Sequence, residues 1–227
     1  MKIGVLLAGC GVFDGSEIQE AVSVLIALDE LGAEAVCLAP DMNQYHVMNH
    51  LKGEEMTPER NVLVESARIA RGEIQAIGAD TAAGLDGLVI PGGFGAAKNL
   101  CTWAFDGPAA TVRDDVAGLI QAMVTAGKPI AALCVAPVAV AKALQAAGKS
   151  ATMTLGHPEG ASPYDIPGFH AGLEAVGMKP VPCNSGEITV DAEKKLITSP
   201  CYMMEATPAQ ILSGVRKACE KLVALIK

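Results

Sequence analysis

Short, largely apolar runs recur along this chain, and segments with helical spacing lie between them. Residues 3–8, 85–90 and 129–133 are such runs, and their length is typical of strands buried on both faces of a sheet. The segments at 17–31 and 136–147 carry apolar residues at the spacing of an amphipathic helix. Strands that alternate with helices predict a doubly wound, mainly parallel sheet with right-handed crossovers, which is an α/β fold.

The rest of the chain continues this alternation, with one interruption. Predicted strands also cover residues 35–39, 152–155, 188–190 and 196–198, and predicted helices cover 61–70, 109–126, 163–176 and a C-terminal segment from Pro208. Residues 41–60 break the pattern with polar residues, and we interpret them as a surface insertion that forms a small hairpin. Because one sheet covered on both faces can absorb 227 residues, we predict a single domain over 1–227.

Charge and hydropathy argue against two classes of partner. The net charge is −8, and the 17 Lys and Arg residues are scattered, so neither nucleic acid nor a membrane surface is an expected partner. The longest apolar run, residues 129–141, is shorter than the roughly 18 residues that span a bilayer. The seven cysteines are dispersed, with no CxxC pair and no export signal, which predicts free thiols and a cytoplasmic location.

Cys134 stands where the strand at 129–133 meets the helix at 136–147. A helix N-terminus stabilises a thiolate through its free N–H groups and its dipole, so we expect the pKa of Cys134 to fall. The N–H of Val135 and that of Gly93, in the pair Gly92-Gly93 after a neighbouring strand, predict an oxyanion hole. The alternative is that Cys134 is a small core residue, since free cysteines are often buried.

Three segments should meet at the carboxyl edge of the sheet, where doubly wound folds bind ligands: residues 9–17, residues 91–95 and the Cys134 junction. Glu17 would then lie where it could exchange protons with the thiol, although its charge also suits the start of a helix. His157 follows the strand at 152–155, so it is either an active-site histidine that leans over the thiol or a solvated loop residue.

No metal or cofactor site is predicted. His46 and His50 are four residues apart, but no acid or cysteine stands near them at ligand spacing, so we interpret them as surface residues. A nucleotide-binding loop at residues 9–15, with Asp41 as the ribose acid, stays open as a weak alternative because its spacing is one residue too long.

Four motifs resemble those of a known family: G-C-G-V-F-D-G-S-E-I at 9–18, R-N-V-L at 60–63, A-R-I-A-R-G-E-I at 67–74, and P-G-G-F-G-A-A-K-N-L at 91–100. They resemble the ThiJ/PfpI branch of the class I glutamine amidotransferase-like superfamily. Within that branch they are most similar to the ElbB glyoxalase group, once labelled isoprenoid-biosynthesis or sigma-cross-reacting proteins. The resemblance covers essentially the whole chain.

The resemblance implies a flavodoxin-like sandwich that is commonly a homodimer, with Cys134 as a nucleophile in an elbow, Glu17 beside it, and Gly93 and Val135 as oxyanion donors. It further implies a glutathione-independent, glyoxalase III-type lyase that needs no cofactor. Such an enzyme converts glyoxal, and by extension methylglyoxal, into a 2-hydroxy acid. The thiolate forms a hemithioacetal, Glu17 moves a proton through an enediolate, and water releases glycolate or lactate.

The sequence also departs from relatives within that superfamily. Val135 follows the nucleophile where PfpI-type proteases carry histidine, so we do not expect peptidase activity. His157 resembles the active-site histidine of ThiJ-type deglycases, which members of the ElbB group need not keep. Two other functions stay open: a cysteine-based redox sensor or stress-related binding module without turnover, and a glutaminase-like subunit that depends on a partner.

Overall fold

The computed structural model describes residues 1–226. Its strands are β1 (Lys2–Leu6), β2 (Glu34–Ala39), β3 (Met48–Asn49), β4 (Glu54–Glu55), β5 (Ile74–Ala76), β6 (Gly87–Ile90), β7 (Ile130–Leu133), β8 (Thr152–Met153), β9 (Lys179–Pro180), β10 (Thr189–Asp191) and β11 (Leu196–Ser199). Its helices are α1 (Ile18–Glu30), α2 (Val62–Ile69), α3 (Phe94–Lys98), α4 (Trp103–Asp106), α5 (Asp114–Thr125), α6 (Pro137–Ala146), α7 (Ile166–Ala175) and α8 (Pro208–Ile226).

The central sheet has seven strands in the order β10-β11-β7-β6-β1-β2-β5. Neighbouring strands run parallel, except that β10 is antiparallel to β11. Every residue of β6 and β7 is buried, because helices cover both faces of the sheet. The predicted α/β class, a flavodoxin-like doubly wound sheet, is confirmed.

The strand order puts a switch point beside β1. From β1 the chain moves outward through β2 to β5, then returns to β6 on the other side of β1 and continues through β7 to β11. The loops after β1, β6 and β7 therefore leave the same edge of the sheet side by side. This is the edge at which doubly wound folds bind their ligands.

Several elements differ from the sequence prediction. The short edge strand β5, with two of its three residues exposed, has too little apolar pattern to be recognised, and α3 and α4 are only five and four residues long. Helix α5 begins later than the predicted residue 109, because a turn of 3₁₀ helix occupies 107–109. Strand β8 does not join the central sheet and pairs with β9 instead.

The segment at 41–60 contains the antiparallel hairpin of β3 and β4. The tip of the hairpin is solvent-exposed at Leu51, but Val47 at its base is buried. The backbone N–H of Met48 donates to Asp14 Oδ2 at 2.6 Å, and that of Tyr45 donates to Asn99 Oδ1 at 3.0 Å. The segment therefore covers the loop after β1 and is held there by hydrogen bonds.

Within residues 1–226, no helix combines the length and the hydrophobicity that a bilayer span requires.

Candidate active site

Cys134 occupies a strained turn between β7 and α6. Its φ is +54°, a region that residues other than glycine seldom adopt. The turn is held because the Cys134 N–H donates to the Ser199 carbonyl oxygen at 2.9 Å and the Ala136 N–H donates to the Leu133 carbonyl oxygen at 2.9 Å. The side chain is only 6% exposed. The thiol is thus fixed at the carboxyl edge of the sheet.

The glycine pair after β6 lets the backbone approach this thiol closely. A Cβ atom on Gly92 would lie 2.2 Å from Cys134 Cβ and 2.8 Å from Glu20 Oε2. Gly93 has a φ of +95°, and its Cβ would lie 2.4 Å from the Glu17 nitrogen. Both positions therefore require glycine for reasons of contact as well as conformation.

The carboxylate that contacts the thiol belongs to Glu20, on the inward face of α1. Glu20 is fully buried, and a Cβ atom on Gly92 would lie 2.8 Å from its Oε2 and 2.9 Å from the Cys134 sulfur, so the carboxyl group and the thiol are neighbours and each shifts the pKa of the other. Its Oε2 accepts the Gly92 N–H at 2.9 Å, and its Oε1 accepts the Tyr202 N–H at 3.3 Å. Burial, together with the charge of Glu17, raises the pKa of Glu20 to about 8, so the group is largely protonated near neutral pH.

Glu17, the acid that the sequence predicted beside the thiol, lies at the N-terminus of α1. Its Oε2 accepts the Glu20 N–H at 2.7 Å, and its own N–H donates to the Gly92 carbonyl oxygen at 2.9 Å. Glu17 is therefore the N-cap of the helix. The contact with the Cys134 thiol that was expected of Glu17 is made by Glu20, three residues later. Sequence reasoning missed Glu20. The available signal was that this acid shares a helix face with Ala21 and Val24, which are apolar and buried.

The pKa of Cys134 is raised well above its ordinary value, contrary to the expected fall. Burial is the main cause, and the carboxylate of Glu20 adds to it, whereas the N–H groups of Gly93 and Val135 bond the sulfur and lower the pKa. The enclosure that fixes the thiol thus outweighs the helix N-terminus. Because the thiol and Glu20 are in contact, the two groups titrate as a coupled pair.

The three residues predicted as oxyanion or substrate donors divide into two groups. The N–H groups of Gly93 and Val135 lie near enough to the Cys134 sulfur to lower its pKa, so they are placed to reach an oxygen on a carbon bonded to that sulfur. The N–H of Gly92 is already bonded to Glu20. Gly92 contributes by having no Cβ atom, because a Cβ there would collide with both the thiol and the carboxyl group.

A small cavity lies over the thiol, and we call it the thiol cavity. Its volume is ≈ 20 Å³, where a single water molecule needs about 10–15 Å³. Its lining is formed by Val12, Gly93, Phe94, Cys134, Val135, Tyr164, Phe169, Tyr202 and Met203. This lining is mainly apolar and aromatic, with no lysine or arginine in it, so the cavity suits a small uncharged molecule.

Tyr164 is a second residue that the sequence did not single out. Its ring packs edge-on against that of Phe94 at 5.9 Å between centroids. The pKa of Tyr164 is raised by burial and then by the charges of Cys134 and Glu20, so its hydroxyl lies in their field. Tyr164 thus takes the position above the thiol that the sequence proposed for His157.

His157 is turned into its own loop. Its Nδ1 accepts the Glu159 N–H at 3.2 Å, and its backbone N–H contacts the Met204 sulfur at 3.3 Å. It is not among the residues that line the thiol cavity. The structure therefore brings Cys134, Gly92, Gly93 and Val135 together and leaves His157 outside the group.

The loop after β1 binds its own chain rather than presenting free N–H groups. The Gly9 N–H donates to Ser66 Oγ at 2.9 Å, the Gly11 N–H donates to the Ser16 carbonyl oxygen at 2.9 Å, and the Gly15 N–H donates to the Gly11 carbonyl oxygen at 2.7 Å. Asp41, the candidate ribose acid, bonds the Asn61 amide at 2.7 Å. These contacts argue against a nucleotide phosphate site at residues 9–15.

Of the two histidines tested for a metal pattern, His50 is bound to the same loop. His50 Nε2 accepts the Phe13 N–H at 3.2 Å, and the two rings stack at 4.9 Å between centroids. Its Nδ1 lies 3.1 Å from the Met48 carbonyl oxygen. His50 thus fastens the hairpin of residues 48–55 to the loop that carries Asp14 and Glu17.

No family model matches the chain, but curated relatives align along most of it. The Homo sapiens glutamine amidotransferase-like class 1 domain-containing protein 3, mitochondrial, is 40% identical over 228 residues, which cover 99% of this chain and 83% of the human protein. The ES1 protein homolog, mitochondrial, of Rattus norvegicus is 40% identical over 99% of this chain and 84% of its own length. The Danio rerio ES1 protein, mitochondrial, is 29% identical over 90% and 77%.

Solved structures give the same result. The Ehrlichia chaffeensis isoprenoid biosynthesis protein with an amidotransferase-like domain has 32% sequence identity and a TM-score of 0.89, with all of both chains covered. Drosophila melanogaster DJ-1beta has 18% identity and a TM-score of 0.54 over 99% of this chain and 94% of that chain, which is a likeness of fold. The resemblance drawn from the four motifs is confirmed.

The comparisons also correct the predicted location. The prediction of a cytoplasmic protein is wrong, because the three curated relatives are all named as mitochondrial. Free, dispersed cysteines indicate a reducing environment, and this signal does not distinguish one reducing compartment from another.

Proposed function

This chain belongs to the ES1 family of glutamine amidotransferase-like class 1 proteins, and from that membership and the geometry at Cys134 we propose that it is a cofactor-independent glyoxalase. It converts glyoxal and water into glycolate, with methylglyoxal as a poorer substrate. The observation that carries the proposal is the buried contact between the Cys134 thiol and the Glu20 carboxyl group.

The first step is addition of the thiol to the aldehyde. Glu20 in its ionised form takes the proton of Cys134, the sulfur attacks one carbonyl carbon of glyoxal, and Glu20 passes the proton to the carbonyl oxygen, which gives a hemithioacetal and frees the carboxylate for the next step. The N–H groups of Gly93 and Val135, which bond the sulfur in the resting site, stabilise the oxygen that becomes negative. The Tyr164 hydroxyl supplies a further hydrogen bond from the opposite side of the cavity.

The second step moves hydrogen between the two carbons. Glu20 removes the proton from the carbon bonded to sulfur, which gives an enediolate, and returns a proton to the neighbouring carbon. The product is a thioester of glycolate, which water cleaves to release glycolate and the free thiol. A carboxyl group whose pKa is about 8 can both accept and donate a proton near neutral pH, so Glu20 has the proton-transfer role that the sequence proposed for Glu17.

The size and lining of the thiol cavity favour the smallest dicarbonyl. A volume of ≈ 20 Å³ is that of about one or two water molecules, so even a two-carbon aldehyde must displace part of the aromatic lining, and each further methyl group would displace more of it. Glutamine carries a carboxylate and an ammonium group. The lining provides no cation to pair with that carboxylate. The cavity therefore argues against a glutaminase-like activity, and peptidase activity is not expected.

The test is formation of glycolate from glyoxal, followed by NMR without added metal or glutathione. We expect turnover by the wild type, none by Cys134→Ser, and a fall of about 100-fold or more for Glu20→Gln. Glu17→Gln, which changes the cap, should stay within about tenfold, and Cys219→Ser, a buried thiol on α8, should match the wild type. An inactive wild type, or equal losses in the Glu17 and Glu20 variants, would contradict the proposal.

We further propose that the protein is a homodimer. Ile18, Val22 and Ile26 form an apolar stripe on the outer face of α1 and are 45%, 40% and 41% exposed. Such a stripe is typical of a helix covered by a second copy. Light scattering on the wild type should give the mass of a dimer, and Val22→Glu should shift the mass to that of the monomer; a monomeric wild type would exclude the proposal.

A further inference from the structure

A second buried cysteine, Cys201, lies beside the elbow of Cys134. Strand β11 runs parallel to β7 with Ser199 paired to Leu133, so Cys134 is one residue beyond this pair and Cys201 is two residues beyond it. Cys201 is 1% exposed and has a φ of +43°. Within residues 1–226, only four residues other than glycine have positive φ, and these two cysteines are among them.

The two cysteine turns share their hydrogen bonds. The backbone N–H of Cys134 donates to the Ser199 carbonyl oxygen at 2.9 Å and also faces the Cys201 sulfur. Glu20, which contacts the Cys134 thiol, accepts the N–H of Tyr202 at 3.3 Å. One carboxyl group therefore lies against both turns, within reach of the electrostatic field of both thiols.

The positions of the two backbones are compatible with a covalent bond. A disulfide needs Cα atoms about 4.4–6.8 Å apart. Neighbouring strands of a sheet lie about 4.7–4.9 Å apart, and the two cysteines leave β7 and β11 within two residues of the last paired positions, Leu133 and Ser199. Cys201 belongs to a short turn of 3₁₀ helix, Cys201–Met203, which follows β11 and takes no part in the pairing of the strands. The other cysteines of the chain lie on different elements, as Cys219 does on α8.

We propose that Cys201 is the resolving thiol of Cys134, and that the pair reduces small hydroperoxides with formation of a Cys134–Cys201 disulfide. This activity is separate from the proposed glyoxalase reaction and does not depend on it. A thiol cavity of ≈ 20 Å³ admits hydrogen peroxide, which has two heavy atoms, and excludes bulky organic hydroperoxides.

The chemistry balances in two steps. The Cys134 sulfur attacks one peroxide oxygen, so that an S–O bond forms, the O–O bond breaks, and the sulfur loses two electrons to the peroxide. Glu20 accepts the thiol proton and passes it to the leaving oxygen, which departs as water. The Cys201 sulfur then attacks Cys134, an S–S bond forms, the S–O bond breaks, and hydroxide leaves as a second water with the proton of Cys201.

The experiment is peptide mapping of the full-length protein after treatment with one equivalent of hydrogen peroxide, without reductant during digestion. We expect a cross-linked peptide pair containing Cys134 and Cys201, which dithiothreitol separates. In Cys201→Ala, treated beside the wild type with a severalfold excess of peroxide because a sulfinic acid consumes two equivalents, the oxidation should proceed to sulfinic acid on Cys134, which dithiothreitol does not reverse. Cys219→Ala, another buried thiol removed, should give the same Cys134–Cys201 pair as the wild type.

Absence of the Cys134–Cys201 peptide in the wild type would overturn the proposal, and so would sulfinic acid formation at the same rate in the wild type and in Cys201→Ala. If Cys201→Ala fails to fold, the wild-type peptide map alone decides. Glycolate formation is measured separately, so the loss of one activity does not imply the loss of the other.

Discussion

The thiol cavity and the groove between α5 and α6 differ in nearly every respect. The groove has a volume of ≈ 610 Å³, and small or polar side chains such as Ala117, Gly118 and Gln121 line it. The thiol cavity, at ≈ 20 Å³, is far smaller. Its lining nevertheless includes the strained Cys134 and the two residues whose N–H groups lower the pKa of the thiol, and the buried carboxyl group of Glu20 lies beside that thiol. The candidate site is therefore marked by buried ionisable groups and not by open volume.

The sharpest way to break this comparison is to add one methyl group to each region. Gly92→Ala places a Cβ atom 2.2 Å from Cys134 Cβ, so we expect activity to fall by about 100-fold or more and the free energy of unfolding to fall by about 3 kcal/mol. Glyoxal turnover and urea unfolding measure the two effects. A Gly92→Ala protein with wild-type turnover would show that the close approach is unimportant.

The dependence of stability on pH sharpens the contrast, because Glu20 is mostly protonated at neutral pH in the folded protein and mostly ionised after unfolding. Its pKa in the folded protein is about 8 and its ordinary value is 4.5. As the pH rises through this window the unfolded chain releases the proton first, so the folded state loses roughly 1.4 kcal/mol per pH unit, or about 3 kcal/mol from pH 4.5 to pH 7.

Urea unfolding at several pH values measures this loss, with Glu20→Gln as the control. The stability of the variant should depend less on pH over the same window. Parallel curves for the two proteins would mean that Glu20 titrates normally.

Tyr164 tests whether the lining of the thiol cavity takes part in the chemistry. Tyr164→Phe keeps the ring that packs against Phe94 and removes the hydroxyl, so we expect turnover of glyoxal to fall about tenfold, the equivalent of one hydrogen bond. Tyr202→Phe is the matched control, since the hydroxyl of Tyr202 bonds Gln19, and should change turnover by less than about twofold. Equal changes in turnover in the two variants would show that the Tyr164 hydroxyl takes no part in the reaction.

The smallest effect is expected in the groove. Gly118 lies in α5 with no atom within 4 Å of a Cβ placed there. Gly118→Ala should therefore stabilise the helix by about 0.5–1 kcal/mol and leave glyoxal turnover unchanged. A loss of turnover in Gly118→Ala would show that a change in the groove alters the site at Cys134.

The fold was largely predictable because its strands are apolar runs of distinctive length. The alternation placed β1, β6 and β7 and the loops that follow them, and therefore the edge at which Cys134 lies. The edge strand β5 was missed, since two of its three residues are exposed and pattern alone does not mark such a strand.

The details of the site were less predictable, because they depend on the first turn of α1. Glu17 and Glu20 are three residues apart and would share one side of a helix, and the sequence does not show that Glu17 is the N-cap while Glu20 is the buried acid. The raised pKa of Cys134 is caused mainly by burial, which a strand-to-helix junction does not report. The position of Tyr164 follows from the path of a loop, for which the sequence has no periodic signal.

The turn at residues 199–202 has a consequence for synthesis of the protein. The Ser199 carbonyl holds the elbow, and the Tyr202 N–H completes the surroundings of Glu20. Cys134 emerges from the ribosome more than sixty residues before this turn. Until the turn arrives, the thiol lacks its enclosure, so newly made chains should react with alkylating reagents that the finished protein resists. The enclosure of the thiol is thus completed late in synthesis, once the last strand of the sheet and the turn after it have been made.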